Sequence, residues 1–229
     1  MHADTTHSQP AHRRRVPLWL KGAYTLFIAI LVPHYWQTYG PTNFLFFCDV
    51  AAFFTLAAVW LERPLLASMP AIGILLPQAL WIIDFLLALC GFRMTGMTDY
   101  MFDSSIPLFS RGLSLFHFWL PILLVWLNWR LGYDQRALRA WTVLAWGLVA
   151  FCYLCMPAPP APPEDPQRVV NINYVYGLSD KQPQQWLPQP LYVLAEMAVL
   201  ALLIFWPTHA LLSRLFPLAT HDEPTRTIV

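Results

Sequence analysis

The chain has 229 residues, of which 57% are hydrophobic and 12% charged, and its formal net charge is +1. An ordinary soluble domain carries about 25% charged residues, so the composition excludes that class and points to a membrane protein. The near-neutral balance also excludes a nucleic-acid partner, because neutralising phosphates needs clustered positive charge.

Spanning a bilayer takes about 20 mostly apolar residues. Six windows meet that need: 16–33, 43–61, 65–91, 112–129, 137–156 and 189–211. The fold class they predict is all-α, a polytopic membrane helical bundle of six transmembrane helices with cytoplasmic N and C termini. Residues 1–15 read as a disordered cytoplasmic tail, 16–211 as the transmembrane domain and 212–229 as a cytoplasmic tail. Five spans is the alternative, since Arg139 intrudes on the fifth window. Arg13, Arg14 and Arg15 ahead of an apolar run imitate a secretory signal, but no small-x-small cleavage pattern follows. The run reads as a retained first helix, its arginines available to anionic lipid headgroups.

Cytoplasmic loops keep an excess of Lys and Arg near the helix ends. Placing the N terminus inside puts the tail, Lys21, Arg63, Arg130, Arg136, Arg139, Arg214 and Arg226 in the cytoplasm. Arg93, Arg111, Arg168 and Lys181 then face outward. Trp19, Trp60, Trp129 and Trp206 at one side, with Tyr35 and Trp36 at the other, suit interfacial belts. A bacterial inner membrane is the expected location, membrane lipids are the expected partners, and the oligomeric state is open.

Three outward segments differ in character. His34 to Thr42 predicts a short aromatic loop, and 92–111 predicts a partly helical stretch lying at the interface. The loop 157–188 opens with PAPPAPPEDP, where proline favours extended backbone, and continues as NINYVYGLSD. The leading expectation for it is a solvated tether; the alternative is a lid with Tyr174 and Tyr176 packed downward.

Asp49, Asp84, His117 and Glu196 each interrupt an apolar window. At about 1.5 Å of rise per residue they lie on the order of 10 Å below the outer helix ends, which predicts a single polar layer. An ionisable residue inside a membrane is a functional candidate by default. Ser110, Ser114, His117 and Pro121 share one helical stripe, and Gly73, Pro77 and Asp84 another. Pro121 also frees the carbonyl of His117. The structural alternative is that Arg111 and His117 neutralise the acids in buried pairs that fix helix register.

Cys48 stands beside Asp49, so a thiol activated by His117, with an acid orienting the imidazole, would meet the needs of covalent catalysis. The candidate site is therefore Cys48, His117, Asp49, Asp84 and Glu196, acting on a lipid-like substrate. The same acids also suit a proton- or cation-coupled carrier or channel component, and a structural or assembly subunit is a third reading. Cys152 and Cys155, spaced C-x-x-C, offer a thiol-disulfide oxidoreductase as a fourth. No H-x-x-H or E-x-x-H pair supplies helical metal-ligand spacing, so neither metal nor cofactor is expected.

The stretches YGPTNFLFFCDVA (39–51) and GLSLFHFWLP (112–121) resemble a group of bacterial integral membrane proteins without an assigned activity. More remotely, a motif on the second helix and a histidine on the fourth resemble a superfamily of membrane lipid enzymes. It includes the androgen-induced threonine hydrolases of lipid esters and a cysteine-dependent transmembrane acyltransferase. The hydrolases' threonine falls on Phe46, which has no nucleophile. The resemblance instead implies Cys48 as nucleophile and His117 as its histidine.

Overall fold

The computed structural model describes residues 16–165 and 168–219. The tail expected at 1–15 and the residues after 219 lie outside that range. Within it the chain is helical: α1 Leu18–Tyr39, α2 Phe47–Leu61, α3 Pro64–Leu89, α4 Leu108–Ser114, α5 Phe116–Leu131, α6 Ala137–Cys155, α7 Gln189–Val199 and α8 Trp206–Leu215. Short 3-10 turns cover Pro41–Leu45, Asp99–Met101 and Ile172–Tyr174, and a π-helical segment, Leu200–Phe205, joins α7 to α8.

Among the described residues, four helical stretches are long and apolar enough to cross a membrane: Pro64–Leu89, Leu108–Leu131, Ala137–Cys155 and Gln189–Leu215. The Phe47–Leu61 helix is apolar but shorter. Their outer faces carry exposed Leu, Val and Trp side chains such as Leu80, Val143, Leu154 and Leu202, the surface that lipid tails rather than water accommodate.

Proline and glycine set the boundaries. Pro17 precedes α1, Pro64 opens α3 and Pro190 stands in the first turn of α7, positions where the missing amide proton costs no helical hydrogen bond. Gly40 (φ 79°) and Gly132 (φ 86°) end α1 and α5 in conformations that a side chain disfavours. Gly132 also lies so close to the C-terminal segment that an added Cβ would stand 3.2 Å from the Pro217 carbonyl.

Two expectations fail at the first turn. His34 to Tyr39 is helix rather than loop, because Pro33 falls where the continuing α1 tolerates it and Gly40 is the first real break. Residues 43–45 belong to the 3-10 turn, so α2 starts only at Phe47. At the other terminus, α8 runs past residue 211 to Leu215. The chain then pairs with the α5–α6 turn: Tyr133 N–H donates to Pro217 O at 2.8 Å and Ala219 N–H to Tyr133 O at 2.9 Å.

Helix α3 is the hub, packed against α2, α5 and α6. Leu31, Val59, Ile72, Leu120, Leu124 and Trp141 fill the middle of the bundle. The face of α3 predicted to admit a neighbour does so at Gly73, where a Cβ would fall inside the indole of Trp141. Gly73→Ala is expected to lower stability by about 1–3 kcal/mol, the usual cost of overpacking, read as a lower melting temperature in detergent. Gly147→Ala, with no atom within 4 Å of the added carbon, serves as the neutral control.

Candidate functional site

Asp49 sits in the first turn of α2, not several residues deep in a span. That position places its carboxyl near the amide end of the helix, where the macrodipole favours negative charge. The residue is 3% exposed. Its Oδ2 accepts from Asn43 Nδ2 at 3.3 Å and contacts Cys48 Sγ at 3.9 Å, while Oδ1 is buried with no partner. Among the described residues, no Lys, Arg or His stands in ion-pair contact with it.

A chain of hydroxyls runs from Tyr35, the member within electrostatic reach of this carboxyl. Tyr35, expected in an interfacial belt, instead turns inward and its hydroxyl meets Ser114 Oγ at 3.0 Å. Tyr35 lies within electrostatic reach of Asp49, Cys48 and Tyr100. Tyr100 arrives from the 92–107 segment and faces Ser114 and Trp81. One turn away, His34 Nε2 meets Ser110 Oγ at 2.8 Å. Buried polar atoms without partners recur here: Trp81 Nε1 and Arg111 Nε join Asp49 Oδ1.

The other predicted site residues are engaged differently. Asp84 is a fastener for the interfacial segment. Its Oδ1 accepts from Thr95 N at 2.7 Å and Gly96 N at 3.4 Å, and its Oδ2 from Thr98 N at 3.0 Å and Thr98 Oγ1 at 2.6 Å. His117 Nδ1 donates to the Ser114 carbonyl at 2.7 Å, leaving Nε2 as the ring's acceptor. The ring stacks on Trp81, with centroids 5.3 Å apart. Glu196 lies on α7 near Cys152 and Tyr192, its Oε2 buried without a partner. Arg111 donates to Met101 O.

The predicted site residues thus have separate partners: Cys48 with Asp49, Asp84 with the 95–98 segment, His117 with Ser114 and Trp81, and Glu196 near Cys152 and Tyr192. Cys48 and Asp49 are the two of the five that touch; among the described residues neither Arg111 nor His117 forms an ion pair with Asp49, Asp84 or Glu196, and the imidazole is oriented by a carbonyl rather than a carboxylate. The reason is local backbone: carbonyls and amides at helix ends and turns offered closer partners than side chains on neighbouring helices. Among the described residues, no three His, Cys, Asp or Glu side chains gather as metal ligands. All four cysteines are free thiols, with Cys152 buried and Cys155 exposed.

The loop 157–188 is no solvated tether. Ile172 and Val175 are fully buried and pack with Val149, Cys152, Tyr192 and Val193 in a second apolar core. Asn171 and Asn173 hold positive φ angles, which asparagine tolerates better than most residues. Asn173 Nδ2 donates to Leu45 O at 2.9 Å, and its Oδ1 accepts from Phe47 N at 3.0 Å. Asn171 ties the loop to itself through Gly177 O and Tyr176 N. Burial pushes the Tyr176 phenol above its usual value, which keeps it a donor to Tyr153 O at 2.9 Å.

Apart from helix-end charges, the sequence shows no ionisable residue in the opposite half of the bundle to match the outer set, yet polar groups are buried there. There Ser68, Asn128 and Asp134 are almost wholly buried. Ser68 Oγ donates to Asn128 Oδ1 at 2.7 Å and accepts from Asp134 N at 3.0 Å. Tyr133 Oη meets His209 Nδ1 at 2.7 Å. An asparagine inside an apolar window was the available signal. No protein-family model, curated protein or solved structure matches the chain.

Asp84→Ala would strip the acceptor from four donors in the 95–98 segment. Bonds to a charged group contribute about 1.5–3 kcal/mol each, so the expected result is loss of stability with protease cleavage appearing at Thr95–Thr98. Unchanged digestion would remove the fastener role.

Proposed function

We propose that the chain is a six-span membrane protein with both termini inside, in which Asp49 exchanges a proton or small cation with the outer face, as a component of a proton- or cation-coupled carrier or channel. The observation that carries this reading is the Asp49 carboxyl: buried, with one oxygen unpartnered and, among the described residues, no Lys, Arg or His in ion-pair contact with it. Burying an isolated carboxylate is costly, so the group resides there neutral, or charged once a cation arrives. A site that changes charge state inside a membrane is what ion and proton relays use. Tyr35, within electrostatic reach of the carboxyl, is bonded to Ser114, which also faces Tyr100, and these hydroxyls can each donate and accept.

Purified protein in liposomes loaded with a pH-sensitive dye, under an imposed potassium diffusion potential, tests this. Wild type is expected to pass protons, and Asp49→Asn to reduce the rate by at least about tenfold, 1.4 kcal/mol in barrier. Equal rates would end the reading.

A second reading, thiol-dependent lipid acyl transfer, is favoured by the Cys48 Sγ contact to Asp49 Oδ2 at 3.9 Å. In it Asp49 takes the thiol proton, the sulfur bonds to an ester carbonyl carbon, and the departing alcohol leaves with a proton. His117, whose Nδ1 donates to the Ser114 carbonyl, keeps Nε2 free to act as a base, but the carboxyl in contact with the thiol is that of Asp49. A thiol-reactive lipid probe in membranes is expected to label wild type and not Cys48→Ala. Equal labelling of both removes this reading.

A further inference from the structure

We propose that the seam between α1 and α2 is the route by which a proton bound at Asp49 crosses to the opposite end of the bundle, leaving through Glu62. The proposal rests on the Asp49 reading above and supplies the half of the path that the sequence left empty.

The two helices lie antiparallel, and the buried face of α1 carries Lys21, Tyr24, Ile28, Leu31 and Tyr35. Helix α2 buries Asp49, Ala51, Ala52, Thr55, Ala58 and Val59 between α1 and α3, and it meets α1 at Asp49, Ala52, Thr55 and Glu62. Polar groups recur along this seam in three rungs. At one end stand Asp49 and Tyr35. In the middle, Tyr24 Oη donates to Ala52 O at 2.9 Å beside the Thr55 hydroxyl, which donates to Ala51 O at 2.7 Å. At the far end, Lys21 Nζ meets Glu62 Oε1 at 2.6 Å, and Val16 N–H also donates to that oxygen at 3.3 Å.

The spacing is regular. Asp49 to Thr55 is about 9 Å along the axis and Thr55 to Glu62 about 10 Å, at about 1.5 Å per residue. Each gap is bordered on α2 by buried alanines, Ala51 and Ala52 above and Ala58 below, and crossing it takes a transient water chain. Both middle hydroxyls already donate to a carbonyl yet keep lone pairs free. To relay, each hydroxyl turns its proton from the carbonyl to a water on the Glu62 side, accepts a proton from a water on the Asp49 side and releases its own, so it is neutral before and after the step.

The far rung opens to the surface. A hollow of about 500 Å³ is lined by Val16, Leu18, Lys21, Trp60, Leu61 and Glu62. Glu62 is held at its floor by a left-handed backbone (φ 50°) that ends α2. Trp60 stacks over the Lys21 ammonium at 5.6 Å and donates to Thr25 Oγ1 at 2.9 Å, fixing the lysine that faces Glu62. A proton delivered to Glu62 weakens its attraction to Lys21 and is released into the hollow.

Two readouts separate the route from the site it starts at. Infrared difference titration reports protonation of Asp49 through its carboxyl stretch, identified by its loss in Asp49→Asn, and the liposome assay reports flux. Tyr24→Phe, Thr55→Val and Glu62→Gln are each expected to leave the Asp49 titration as in wild type and to slow flux at least about tenfold. Thr55→Ser, which keeps the hydroxyl, is expected to restore wild-type flux, showing that the loss is not misfolding. Wild-type flux in both Tyr24→Phe and Thr55→Val overturns the route while leaving the Asp49 reading intact. No flux in wild type overturns both.

Discussion

The side chain of Asn173 bridges two backbone groups that no helix could satisfy, the carbonyl of Leu45 and the amide of Phe47. These groups flank the point where a 3-10 turn gives way to α2, and an unmet backbone group at such a place costs on the order of 1–3 kcal/mol. The bridge fixes where α2 begins and therefore where Asp49 and Cys48 stand. It also draws the 157–188 loop against the bundle, carrying Ile172 and Val175 into the apolar core that holds Cys152 and Tyr192. One amide, spending both its ends, joins the loop, the helix start and the candidate site.

Much of the helical plan was legible because it follows from averages. Apolar runs and proline and glycine punctuation marked α3, α5 and α6 closely. What failed were places decided by single hydrogen bonds. The helical extension through His34 and Tyr35 placed Tyr35 against Ser114, which no hydropathy window can register. Asp84 looked like its neighbours in apolar sequence, yet its partners are backbone amides 11 to 14 positions onward, invisible until the chain folds back. The 157–188 loop was misread because its proline-rich opening dominated its composition, whereas two asparagines and two apolar side chains farther on decide its packing.

For the site itself, sequence located the ionisable groups but not their company. Asp49 stood out correctly as an acid in an apolar setting, and Cys48 as its neighbour. The hydroxyl chain of Tyr35, Ser114 and Tyr100 comes from three separate segments, so only the fold assembles it. The polar rungs along α1 and α2 escaped for a similar reason: Tyr24 and Thr55 are ordinary residues in apolar helices, and become notable only when opposed.

The π-helical segment Leu200–Phe205 interrupts the long helix between Glu196 and His209. Each wide turn holds more residues than an α-turn, so the face presented after it is rotated relative to the face before it. Glu196 thereby answers to α6, while His209 turns to Tyr133 beneath the α5–α6 turn. The last helix thus presents differently turned faces before and after the π-helical segment, one to α6 and one to the Tyr133 seat, so the C-terminal segment docked there depends on an irregularity a dozen residues upstream.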